Sequence, residues 1–112
     1  MKIAVPLVNG KLSMHFGHCQ EFALVEVDDE TKIVGETVVL PPPSYEPGAL
    51  PRWLHEQGAT VIIAGGMGTR AQQLFVEQGI AVAVGAPVAA PEVLVRDYLN
   101  GTLASGDNIC SH

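Results

Sequence analysis

The sequence predicts an α/β domain with a mixed sheet and helices on both faces. Three observations carry that reading. Glu21-Phe22-Ala23-Leu24-Val25-Glu26-Val27 starts and ends with period-two alternation, as a strand with one wetter face does. Thr60–Ala64 and Ile80–Val84 are apolar on both faces, the pattern of buried parallel strands. The segments between and after these runs have helical periodicity and are bounded by proline and glycine.

Taken from the amino terminus, Ile3–Val5 reads as a short strand closed by Pro6, and a glycine-containing loop follows. Glu21–Val27, the turn Asp28-Asp29-Glu30-Thr31 and the returning strand Lys32–Leu40 make a hairpin. Pro41–Gly48 contains four prolines, which remove four donors and exclude both helix and ladder. A helix is expected from Ala49 to Gln57, with Pro51 in its first turn and Gly58 as its stop. After the strand Thr60–Ala64 comes the tight loop Gly65-Gly66-Met67-Gly68. Thr69 and Gln72 fit a capping box that opens a helix through Gln78, with Ala71, Leu74, Phe75 and Gln78 on one face. Ile80–Val84 is the next strand, and Pro91 starts a last helix that Gly101 ends. Trp53 and Tyr98 are expected to pack on the sheet, and His55 to face solvent. Residues 1–101 thus form a single α/β domain, followed by a tail, 102–112, that carries Cys110 and His112.

Composition excludes several classes of function. The chain has 112 residues, 47% of them hydrophobic, with a formal net charge of −6 and no basic run. Nucleic acid and anionic membranes are poor partners for such a surface. No apolar run reaches the length of a bilayer span. The first residues already read as a strand, not a signal peptide, and two cysteines make no disulfide framework. A cytoplasmic location with free thiols is the expectation.

This element order collects the loops after the first, third, fourth and fifth strands at one edge, the carboxyl end of the parallel strands, where open α/β sheets bind ligands. Pro6–Gln20, the proline loop, the glycine loop and Gly85–Ala90 would meet there. His15, His18 and Cys19 lie within five residues, and Cys110-Ser111-His112 ends the chain. These two groups hold both cysteines and three of the four histidines. Thiolate and imidazole select zinc, copper, iron and iron–sulfur clusters. The last helix covers roughly 15 Å at ~1.5 Å per residue, and the tail can extend up to ~36 Å at ~3.3 Å per residue, so the groups can meet. The opposing reading makes Cys19 a small buried apolar residue and the tail disordered.

Other chemistries compete less well. Gly66-Met67-Gly68-Thr69-Arg70-Ala71 fits G-x-G-x-x-A between strand and helix, where amides, the helix N-terminus and Arg70 favour an anion. A dinucleotide is excluded, because no Asp or Glu lies near residue 85 to bind a ribose. A tight turn alone accounts for the glycines equally well. Cys19 beside His18 has the residue types of a nucleophilic pair but no orienting carboxylate. Met14 and Met67 are thioethers in loops at the same edge, more in keeping with gap-filling than with copper ligation.

The stretch Ser13-Met14-His15-Phe16-Gly17-His18-Cys19 resembles the opening motif of the dinitrogenase iron–molybdenum cofactor biosynthesis family, which includes NifX-type proteins and the carboxy-terminal domain of NifB-type proteins. Glu46-Pro47-Gly48, Ile62–Ala71 and Asn108-Ile109-Cys110-Ser111-His112 resemble it too, so the likeness covers nearly the whole chain in order. Tyr45 stands where relatives often have a histidine. The resemblance implies a three-layer, ribonuclease-H-like fold with a mixed five-stranded sheet. It implies a cofactor carrier or store, not an enzyme, handling an iron–sulfur or molybdenum-containing metal–sulfur cluster. His15, His18, Cys19, Cys110 and His112 become its candidate metal ligands. Gly65, Gly66, Met67, Gly68, Thr69 and Arg70 form a candidate cradle for its anionic surface. Partners would be metallocofactor assembly proteins or an acceptor metalloenzyme, with the chain a monomer or homodimer. The alternatives are a mononuclear zinc or copper ion, and a metal-free module that binds a small anion.

Overall fold

The computed structural model of the chain describes residues 1–13, 20–41 and 49–101. Strand β1 (Lys2–Val8) is followed by the short β2 (Lys11–Leu12), β3 (Glu21–Val27) and β4 (Val34–Leu40). Helix α1 (Ala49–Glu56), β5 (Val61–Ile63), α2 (Thr69–Glu77), β6 (Ala81–Ala83) and α3 (Pro91–Asn100) complete the described chain. The sheet order is β4-β3-β1-β5-β6, with β2 paired to β1. β3 is antiparallel to both neighbours, whereas β5 is parallel to β1 and to β6. This is the expected mixed α/β sheet.

Alternation along the central strand divides the core in two. Ile3, Val5 and Leu7 pack with Val25, Ile63, Leu94 and Val95 under α3. Ala4 lies on the other face with Phe22, Leu54, Ile62, Met67 and Phe75, under α1 and α2. Three layers result. Trp53 meets Phe22 edge-on, with ring centroids 5.8 Å apart, and Tyr98 packs against the α3-side core. His55 is exposed, as expected.

Four expectations need correction. β1 does not stop before Pro6 but runs on to Val8. Pro6 is tolerated because the neighbour on that side changes there from β5 to β2, and the bond it makes uses its carbonyl, which accepts from Ser13 N–H at 2.9 Å. The loop after β1 begins as a hairpin: Asn9 (φ 54°) and Gly10 (φ 81°) have the two positive φ values of a type I′ turn. Ile80–Val84 is not buried on both faces. Its central part, β6, is a sheet edge, with Ala81 exposed and Val82 and Ala83 half-buried. Finally, α2 is capped by Gly68, not Thr69, and Gln72 turns back to donate from Nε2 to the Met67 carbonyl at 2.9 Å.

Gly10 tests the hairpin. A Cβ added there meets nothing within 4 Å, so the substitution probes backbone conformation alone. Gly10→Ala is expected to cost about 1–2 kcal/mol, the penalty of an L-residue in the left-handed region, read as a lower urea midpoint with an unchanged m-value.

Candidate functional site

The hydrogen-bonding scheme places the carboxyl ends of β1, β4, β5 and β6 at one edge, since β4 and β1 each run antiparallel to β3. The described residues on either side of 14–19, the segment that holds His15, His18 and Cys19, both lie there. Ser13 N–H donates to the Pro6 carbonyl at 2.9 Å, and Gln20 N–H donates to the Leu7 carbonyl at 2.8 Å. Successive carbonyls of a strand point to opposite sides, so the two flanks of 14–19 are fixed on either side of β1. Ser13 is buried and Gln20 exposed. Asn9 N–H reaches Gln20 Oε1 at 3.4 Å, tying the hairpin turn to the same flank.

The loops after β5 and β6 are knitted into this edge. Gly85 N–H donates to the Gly65 carbonyl at 2.9 Å, and Ala86 N–H to the Ala64 carbonyl at 3.2 Å. Gly85 sits at φ 81°, a conformation that favours glycine. Leu12 N–H donates to the Ala89 carbonyl at 3.1 Å and links β2 to the loop ahead of α3.

The glycine segment divides into an inner and an outer part. Gly65, Gly66 and Met67 are buried, Gly68 is half-buried, and Thr69 and Arg70 are exposed. The Met67 side chain belongs to the core beneath α1 and α2, so its contribution to an edge site would come from its backbone. α2 opens at Gly68 with no acidic residue in its first turn, so no carboxylate in that turn offsets the positive end of the helix. Arg70 adds a fixed cation on the first turn. This chemistry favours an anion.

His15, His18, Cys19, Cys110 and His112 lie outside the described residues, as do Met14 and Tyr45. Among the described residues, no group of three or more His, Cys, Asp or Glu is placed to hold a metal ion. Asp28, in the β3–β4 turn away from this edge, has its carboxyl held below the usual range by the backbone N–H groups of Thr31 and Glu30. Sequence reasoning missed Ser13 and Gln20 as the loop's flanking contacts and Gln72 as the brace of the glycine loop. The Asn9-Gly10 pair was the signal for the hairpin that positions Ser13.

These features define a three-layer α/β protein with an anion-favouring edge, built from loops that start on four parallel strands. Residues 1–101 match the family described as dinitrogenase iron-molybdenum cofactor, and the chain belongs to that family. It is 28% identical over 106 residues to the uncharacterized protein MJ0580 of Methanocaldococcus jannaschii, spanning 92% of this chain and 89% of that one. The crystal structure of PH0822 superposes with a TM-score of 0.82 at 28% identity, covering 94% of this chain and 96% of the other. The apo form of the orange protein from Desulfovibrio gigas has the same fold, with a TM-score of 0.70 at 21% identity, covering 96% and 93%. No helix among the described residues is long and apolar enough to cross a membrane.

Proposed function

We propose that the protein binds and carries a metal–sulfur cluster, an iron–sulfur or molybdenum-containing cofactor or its precursor, at the carboxyl edge of its sheet. It would serve as an accessory protein in metallocofactor assembly, receiving cargo from assembly proteins or passing it to an acceptor metalloenzyme. One observation carries the reading beyond family membership. Both flanks of the loop holding His15, His18 and Cys19 are hydrogen-bonded to β1 at the edge where the glycine loop and the start of α2 lie.

In this reading the thiolates of Cys19 and Cys110 ligate metal. The histidines at 15, 18 and 112 ligate it or donate to sulfide. The amides from Gly65 to Arg70, with the Arg70 guanidinium, receive the negative surface of the cargo. Holding and releasing a cluster in this way needs ligands and charge and no chemical conversion of the cargo.

The test is metal and acid-labile sulfide analysis, with an absorption spectrum, on untagged protein purified without oxygen and then supplied with cluster. The expected result is visible charge-transfer absorption with sulfide present, lost when Cys19→Ser and Cys110→Ser are combined. Zinc or copper at about one per chain without sulfide would overturn it in favour of a mononuclear site. A colourless protein that takes up no supplied cluster would leave an anion-binding module, whose ligand binding Arg70→Ala abolishes. Retention of cluster after deletion of 108–112 would remove Cys110 and His112 from the ligand set.

A further inference from the structure

The two edges of the sheet are unequal. β6 is three residues long, whereas β4 spans seven and carries a single charge, Glu36. Val38 and Val39 remain 45% and 46% exposed. Long apolar edges of this kind are normally blunted, because their unpaired amides template pairing with another strand.

The register shows which groups are open. Val27 N–H donates to the Met1 carbonyl and Asp28 N–H to the Ile33 carbonyl, so odd-numbered residues of β3 turn toward β1 and even-numbered ones toward β4. Phe22 and Leu24 pair with Leu40 and Val38, which therefore point back into the sheet. The N–H and C=O groups of Thr37 and Val39 face outward, and no described residue pairs with them. The open stretch is bounded at both ends. Between Val25 and Val27 the β4 partner advances from Thr37 to Val34, so one extra residue bulges at Gly35–Glu36. At the other end Pro41 has no N–H to offer.

We infer that this edge pairs with β4 of a second copy of the chain, antiparallel across a two-fold axis at Val38. Thr37 of each copy exchanges two hydrogen bonds with Val39 of the other, so every outward donor meets an outward acceptor. Val38 faces its own counterpart on the α1/α2 side, and Val39 lies beside Thr37 on the α3 side. Charge permits this register: with a net charge of −6 on each chain, self-association needs an edge where carboxylates do not face each other. Here Glu36 falls opposite Leu40. The bulge and Pro41 limit pairing to one short strand, which closes a dimer and stops a fibre. Because the strands run antiparallel, the two carboxyl edges point to opposite ends of the pair, and each copy keeps its own cargo site.

The contact is small, at the weak end of protein interfaces, and a dissociation constant on the order of 10–100 µM is expected. Sedimentation equilibrium of the full chain over a concentration series should give a mass rising toward twice 11.8 kDa. Val38→Lys, which sets two ammonium groups across the axis, and Thr37→Pro, which deletes an outward donor, should each weaken dimerisation at least tenfold. An unchanged thermal midpoint for either variant shows that the fold is kept. Val38→Cys tests the register directly. Across a non-hydrogen-bonded pair the Cα atoms lie ~4.5 Å apart, within disulfide reach, so diamide should join the two thiols into a Cys–Cys crosslink at position 38, itself being reduced to the hydrazine. A monomer at about 1 mM overturns the proposal. So does a dimer that both Val38→Lys and Thr37→Pro leave intact. Cluster uptake by Val38→Lys equal to that of the parent separates this result from the fate of the carrier reading.

Discussion

Phe75→Ala is expected to lower the unfolding free energy by about 3–5 kcal/mol, the usual cost of deleting a buried aromatic ring. Phe75 is fully buried and is the one residue of α2 that is. It packs with Ala4, Leu54, Ile62, Met67 and Ile80 in the core beneath α1 and α2. Its carbonyl also accepts from Gln78 and Ile80 N–H, which turns the chain from α2 into β6. Removing the ring leaves Leu74 and Ala71, both half-buried, to hold the helix on the sheet. A domain of this size has about 5–15 kcal/mol in all, so the loss is a large share of its stability. Urea denaturation should show a lower midpoint with the same slope. Val76→Ala, at a position 65% exposed on the same helix, should fall within about 0.5 kcal/mol of the parent. Equal effects from the two substitutions would mean that α2 is not docked through Phe75.

The contrast between these neighbours shows what was legible in the sequence and what was not. The apolar face of α2 was expected from Ala71, Leu74, Phe75 and Gln78, yet the sheet covers only Phe75 completely. Periodicity identifies the face of a helix but not how closely it docks. Glu21–Val27 was found with its bounds correct, but the one wetter face expected of it is absent: Phe22 to Val25 are all buried, because helices cover both faces of the sheet there. β6 misled in the opposite direction. Ala-Val-Ala has the apolar composition of a central strand, and only the sheet order shows it to be an edge. The first loop was read as continuous although Asn9-Gly10 between Val8 and Lys11 marked a hairpin. Pro6 drew the eye as a strand terminator, and the ladder accommodates it where its missing donor has no partner to lose. For the candidate site, element order pointed to one sheet edge, and the strand directions put the starts of the loops after β1, β4, β5 and β6 at that edge. The candidate ligands themselves lie outside the described part of the chain. What the structure adds is the attachment of that loop's flanks at Pro6 and Leu7, which depends on pairings between residues far apart in sequence.

Met67→Ala is expected to cost about 2–5 kcal/mol, while Met67→Leu should cost less than about 1.5 kcal/mol. Met67 is 1% exposed although it sits in a loop between two glycines at the candidate site. Its thioether occupies the core beside Phe22, Ile62 and Phe75, and its carbonyl is held by Gln72 Nε2 at 2.9 Å. Truncation leaves a cavity directly under the segment whose amides would receive an anion. The loss should therefore reach function as well as stability, with weaker cluster retention in Met67→Ala. The leucine variant separates two roles for the sulfur. Leucine refills the volume but cannot ligate a soft metal. Full metal and sulfide content in Met67→Leu would establish that this residue supports the site by shaping the loop from below. A loss of metal in Met67→Leu with stability maintained would make the thioether a ligand and require the loop to turn it out of the core on binding. The buried position favours the first outcome. Turning the side chain out would leave the same cavity that Met67→Ala creates, at a cost the cargo would have to offset each time it bound.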